Sequence, residues 1–148
     1  MSVFEGIEHV SAEGTSKRQY FEPGRYTVTI DLVQIKEKRL GGKLFIVETS
    51  INESNNPYVK PGDSRNWVQS LNNEYALPRI KSFIGAAKGF CPKKQLREIN
   101  KNITLEVCEN VVSIGNPLKG QTMTVECIGK ITKTGKEFTH AFWEAYRG

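Results

Sequence analysis

The chain has 148 residues, enough for one domain around a single core. Charged residues make up 25% and hydrophobic residues 38%, which excludes a disordered chain, and no apolar run approaches the ~20 residues that span a bilayer. The net charge of +5 favours an anionic partner such as nucleic acid, without naming one.

Residues 1–24 carry Glu5, Glu8, Glu13 and Glu22 against Lys17 and Arg18, with little periodicity. They read as an N-terminal arm, and 25–148 as one domain. Tyr20 and Phe21 are either a base-stacking pair or, the favoured reading, a lock of the arm onto the domain. The start, MSVFEGIEHV, has neither the basic stretch nor the apolar stretch of a secretory signal. The expectation is a cytoplasmic protein, in a host cytoplasm if the chain is phage-encoded.

From Gly24 the pattern becomes that of a strand. Tyr26, Val28, Ile30 and Leu32 alternate with polar residues, then the apolar phase slips by one to Val33 and Ile35. A slip of this kind predicts a bulge or sharp bend, which a small barrel needs to turn a corner. A second strand runs from Lys43 to Ile51. Between the two lies KEKRLGGK, where Lys36, Lys38, Arg39 and Lys43 face Glu37 alone. Its glycines let the backbone turn or approach a ligand. Residues 52–63 read as a loop, and Arg65 to Leu71 as a short third strand.

Leu77, Ile80, Phe83, Ile84 and Ala87 then follow helical spacing. Pro78 fits only a first turn, so the helix starts near Ala76 or Leu77, and Gly89 ends it. Residues 93–100 read as another short helix. Residues 103–114 suit either helix or strand, with helix favoured and Asn102 as the cap. The stretch 76–102 holds seven cations (Arg79, Lys81, Lys88, Lys93, Lys94, Arg97, Lys101) against Glu98 alone. It is either a solvated helix face or a second phosphate-tracking surface.

The last hairpin runs from Gln121 to Thr132 and from Glu137 to Tyr146, joined by a tight turn. Met123, Val125, Cys127 and Ile131 are expected to face inward. On the final strand Phe138, Phe142 and Tyr146 share one face and Trp143 the other. The expectation is that the phenylalanines are core and Trp143 faces a groove or an edge.

Three strands, a helical insert and a two-stranded hairpin predict a mainly β, α+β fold: a five-stranded OB-fold-like Greek-key barrel with helices between strands 3 and 4. In that fold the loops joining strands 1–2 and 4–5 flank the binding face. Both are basic here, the second through Lys130, Lys133 and Lys136. Cations of this kind track phosphates while aromatics stack on bases. The predicted nucleic-acid-binding residues are Lys36, Lys38, Arg39, Lys43, Phe45, Arg65, Trp67, Lys130, Lys133, Lys136 and Trp143.

Catalysis finds little support. Asp31 and Asp63 are the only aspartates, His9 and His140 lie beside no nucleophile motif, and no phosphate-binding GxxxxGK[ST] loop occurs. Cys91, Cys108 and Cys127 are odd in number and lack CxxC spacing, so they read as small hydrophobes rather than a disulfide framework or zinc site. Neither a cofactor nor a metal is expected.

The runs GRYTVTI, KRLGGKLFIVETSI, ALPRIKSFIGAA, NPLKGQTMTVE and GKEFTHAFW together resemble phage-encoded single-stranded-DNA-binding proteins over residues 20–146. The resemblance implies an OB fold and non-catalytic, sequence-independent coating of single-stranded DNA in phage replication, recombination or repair. Phage replication or recombination proteins would be its partners, and oligomerisation is left open. Many such proteins end in an acidic tail that recruits those partners, whereas this sequence ends FWEAYRG. The rival reading is a non-catalytic protein-interaction or structural module of a phage assembly.

Overall fold

The computed structural model describes residues 20–39, 41–131, 133, 135 and 137–147. The arm proposed for residues 1–24 thus lies, up to residue 19, outside the described residues. Five strands form one antiparallel sheet: β1 (Gly24–Glu37), β2 (Lys43–Ser54), β3 (Ser64–Ser70), β4 (Thr122–Ile131) and β5 (Glu137–Ala145). Their order across the sheet is β3-β2-β1-β4-β5. Three helices occupy the β3–β4 connection: α1 (Ala76–Ala87), α2 (Leu96–Asn102) and α3 (Leu105–Val111).

The long first strand bends the sheet into an open, barrel-like curl. Its register against β2 shifts between Thr27 and Val28 and again between Ile30 and Leu32, leaving Asp31 as the extra residue. The second shift is the phase slip expected from the sequence, one residue earlier than read: Ile30 and Val33 are both buried although they differ in parity, while Leu32 is half-buried and Ile35, near the end of the strand, is exposed. Past the bulge β4 no longer pairs with β1, since that ladder ends at Thr29 and Thr122. The Asn116 side-chain amide takes over. Its Oδ1 accepts from the Val33 N–H at 2.9 Å and its Nδ2 donates to the Val33 C=O at 2.7 Å. Asn116 is buried at φ 44°, a left-handed conformation that asparagine tolerates. The strand therefore leaves its partner without orphaning buried backbone groups.

Helix α1 closes the open side of the curl. Of its predicted apolar stripe Ile80, Phe83, Ile84 and Ala87 are buried, whereas Leu77, in the first turn with Pro78, is exposed. Gly89, at φ 97°, ends it. The Gly89 N–H bonds the Ala86 C=O and the Phe90 N–H bonds the Gly85 C=O, a Schellman pattern. Helix α2 approaches α1 at Gly85, where an added Cβ would stand 2.7 Å from the Ile99 side chain. Residues 105–111 are helical, and the cap is Thr104, whose hydroxyl accepts from the Val107 N–H, not Asn102.

The two edge strands approach each other without pairing. Trp67 on β3 and Trp143 on β5 lie 5.6 Å apart, and Phe83 from α1 sits against both at 5.4 and 4.8 Å. Phe45 and Phe21 complete this aromatic seam. Large rings fill the gap that a strand-to-strand ladder would otherwise close. Cys127 also faces the core, where burial pushes its thiol up to about 12. Among the described residues no helix is long and apolar enough to cross a membrane.

Candidate nucleic-acid interface

The core accounts for all three aromatics expected to stack on bases. Phe45, Trp67 and Trp143 are 3%, 6% and 4% exposed and belong to the seam. Their predicted role as exposed stacking faces is corrected: all three are packed into the core, and Trp143 also borders a surface cleft. The parity assignment on the last strand is reversed as well. Trp143 points inward because Phe83 and Trp67 meet it there, while Phe138 and Phe142 take the outer face. The indole N–H of Trp143 has no hydrogen-bond partner among the described residues, its ring being surrounded by other rings.

Arg65 is corrected too. Its side chain is 6% exposed, and its Nε donates to Glu22 Oε2 at 2.8 Å while Nη1 donates to the Ser64 C=O at 2.8 Å. This guanidinium ties residues 20–22 to β3. Beside it Tyr20 forms a parallel bridge with Asn66, Phe21 is buried against Tyr26 and Trp143, and the Tyr26 hydroxyl donates to the Glu22 C=O at 2.7 Å. Phe21 is thus a lock, as favoured, and Tyr20 stays exposed.

The basic turns are surface features. Lys36 and Lys43 lie at the strand ends, one on each side of the β1–β2 turn, and both are exposed, as is Arg39 within it. Lys38 is half-buried, its ammonium donating to Ser70 Oγ at 2.9 Å. Gly42 has φ 88°, and a Cβ there would meet the Asn72 amide at 2.5 Å, so the turn sits tightly on the end of β3. Lys130 and Lys133 are exposed near the other turn, while Lys136 lies outside the described residues. The registers set these turns at opposite ends of β1. One closes the ladder at Glu37 and Lys43; the other follows β4 past the start of β1, where Gly24 pairs with Cys127.

A different surface gathers charge and rings together. The outer edge of β5 borders no strand among the described residues, and α1 and the chain after it lie alongside. Two open clefts run there, one of about 310 Å³ between α1 and residues 140–144, the other of about 750 Å³ beside residues 89–95. They share Lys93 and Glu144 and so form one trough. Its lining carries Arg79, Lys93, Lys94 and Arg147 against Glu144. The rings of His140 and Phe142 are stacked at 4.3 Å and 8°, and Lys130 reaches to 6.0 Å over Phe142. Arg79 stands 5.6 Å over Tyr75.

Compared with known proteins, the chain matches no family model and no curated protein.

Cations outnumber carboxylates along the trough. Burial lowers the His140 pKa from its ordinary 6.5, and the charges of Arg79 and Lys130 lower it further. Its imidazole is therefore neutral at pH 7, a flat ring between cations. The Lys93 ammonium stands 4.0 Å from Glu144, both exposed enough for solvent to screen the pair. Among the described residues no three of His, Cys, Asp and Glu cluster as metal ligands. Of the predicted site residues, Trp143 lines the smaller cleft from the core side, and Lys130 stands over the Phe142 ring beside it. Arg79, Lys93 and Lys94 came from the basic helical stretch that left a second phosphate surface open. His140 and Arg147 were missed and Phe142 was assigned to the core; the signal for the ring pair was an aromatic pair at i, i+2 with Lys130 on the paired strand.

Proposed function

We propose that this protein binds single-stranded DNA without sequence preference and without catalysis, as a phage-type replication, recombination or repair protein would. The observation that carries the reading is the trough along β5. Stacked rings beside Arg79 and Lys93, with Lys94 and Arg147 along the adjoining cleft, offer a strand both a base platform and a phosphate track. The strand order and the helical insert between β3 and β4 agree with an OB barrel left open between β3 and β5. The exposed cations of the β1–β2 turn add to the positive surface elsewhere on the fold.

Fluorescence anisotropy with labelled oligo-dT and an equal-length duplex tests it. Single strands should bind and duplex should not. With about four phosphates contacted, the log–log salt slope should be about −3, at about −0.7 per phosphate. No oligo-dT binding at low salt would remove the reading and leave the barrel as a protein-interaction module.

A further inference from the structure

We infer that the smaller cleft, between α1 and the edge of β5, takes a single nucleobase out of the bound strand, with its phosphate on the Arg79–Lys93 rim. This rests on the nucleic-acid reading and names where one base goes.

Four properties of the cleft converge on a nucleotide. Its volume of about 310 Å³ sits at the bottom of the ~300–1,000 Å³ range of small-ligand sites, room for one base and its sugar. Its walls are flat and apolar: Pro78 and Phe83 from the helix, Ala141 and Trp143 from the strand. His140 and Phe142, whose rings are stacked at 4.3 Å, also line it, and a base is a further flat ring for such a stack. Finally, the floor is a strand edge. In an antiparallel ladder every second residue turns its N–H and C=O away from the partner, and β5 pairs only with β4 among the described residues.

Those requirements narrow the ligand. Unpaired backbone donors and acceptors beside apolar walls suit a planar heterocycle with hydrogen-bonding groups on its rim, and they penalise a lipid chain. Arg79 and Lys93 at the rim call for an anion attached to that heterocycle. The weak Lys93–Glu144 contact leaves the ammonium free to exchange its partner for a phosphate. Hydrogen bonds from backbone rather than from side chains also explain how one pocket can serve a sequence-tolerant binder, because each base offers some donor or acceptor to a strand edge.

The test uses intrinsic fluorescence, since Trp143 forms a wall of the cleft. The full chain is titrated with dTMP, with dAMP and with deoxyribose 5-phosphate, and separately with oligo-dT. The expected result is saturable perturbation by both mononucleotides, with the base-free sugar phosphate at least about tenfold weaker (~1.4 kcal/mol per factor of ten). Ser82→Phe, which fills the cleft from α1, should abolish mononucleotide binding and weaken oligo-dT. If that variant fails to fold, the comparison of base with base-free ligand on the unchanged protein decides alone. Equal binding of dTMP and deoxyribose 5-phosphate would overturn the inference, leaving only a phosphate site. So would oligo-dT binding with no response to dTMP, which would keep the strand reading intact. Mononucleotide binding without oligo-dT binding would keep the cleft and remove the strand reading.

Discussion

The sheet has two edge strands, and they are treated in opposite ways. At β3 the edge is occupied: Tyr20 bridges Asn66, Phe21 fills the seam, and Glu22 holds the buried Arg65. At β5 the edge borders a cationic trough with no strand beside it among the described residues. A bare edge invites unwanted pairing, so a protein covers it, charges it or uses it. Here one edge is spent on closing the fold and the other is ringed with positive charge. Both strands bring a tryptophan to the same seam, so the difference lies outside the core.

The largest effect should come from the shared seam. Trp143→Ala removes the ring that joins both edges to Phe83, and should cost about 3–5 kcal/mol of stability by chemical denaturation. A loss under ~1 kcal/mol would mean the edges are not coupled through it.

Charge reversal at the open edge should do the converse. In Lys93→Glu/Lys94→Glu both altered side chains are exposed, so stability should stay within about 0.5 kcal/mol of the parent. The salt slope of oligo-dT binding should become shallower by about 1.4, two phosphates at about 0.7 each. An unchanged slope would move the phosphate path away from this edge.

Glu22→Ala probes the closed edge. It leaves the Arg65 guanidinium without its shortest carboxylate bond while Asp63 and the Ser64 carbonyl remain. Glu22 is 44% exposed, so the loss should be about 1–2 kcal/mol, below the value for a fully buried charged bond. Oligo-dT affinity should not change. A fall in affinity would show that the two edges communicate.

The smallest effect should be the pH response of His140. Its folded pKa is lowered, by burial first and then by Arg79 and Lys130, so the folded state binds its proton less readily than the unfolded chain. The stability it contributes is present above its ordinary 6.5 and is lost as pH falls through the lowered folded value. His140→Gln should flatten that acid limb. In the parent, NMR titration should place the imidazole below 6.5, and saturating oligo-dT should raise it. A value that oligo-dT does not move would put the phosphate elsewhere.

Several features were legible because one short pattern decides each. The bulge at Asp31 showed as a phase slip, read one residue late between Leu32 and Val33, since a strand has only two faces and an extra residue must swap them. Helix α1 was readable because its apolar stripe and Pro78 agree on one start. Other features were not. Phe142 and Trp143 are neighbours with opposite parity, both apolar, so alternation allowed either to be core. Trp67 and Phe83, distant in sequence, settled it. Ile131 fits the inward parity of β4 but lies beyond the start of β1, where no described strand covers it, and it is exposed. Arg65 read as a phosphate ligand because its carboxylate partner stands 43 positions away, in a stretch that read as an arm.

Local sequence, then, determined the strands, the bend in β1, the first helix and the excess of positive charge, because periodicity, glycine and proline act over a few residues. Tertiary structure decided which rings are core, which arginine is sequestered and which strand edge stays open. Those outcomes depend on contacts between elements far apart in the chain, and an apolar or charged residue looks the same in sequence whichever neighbour it meets.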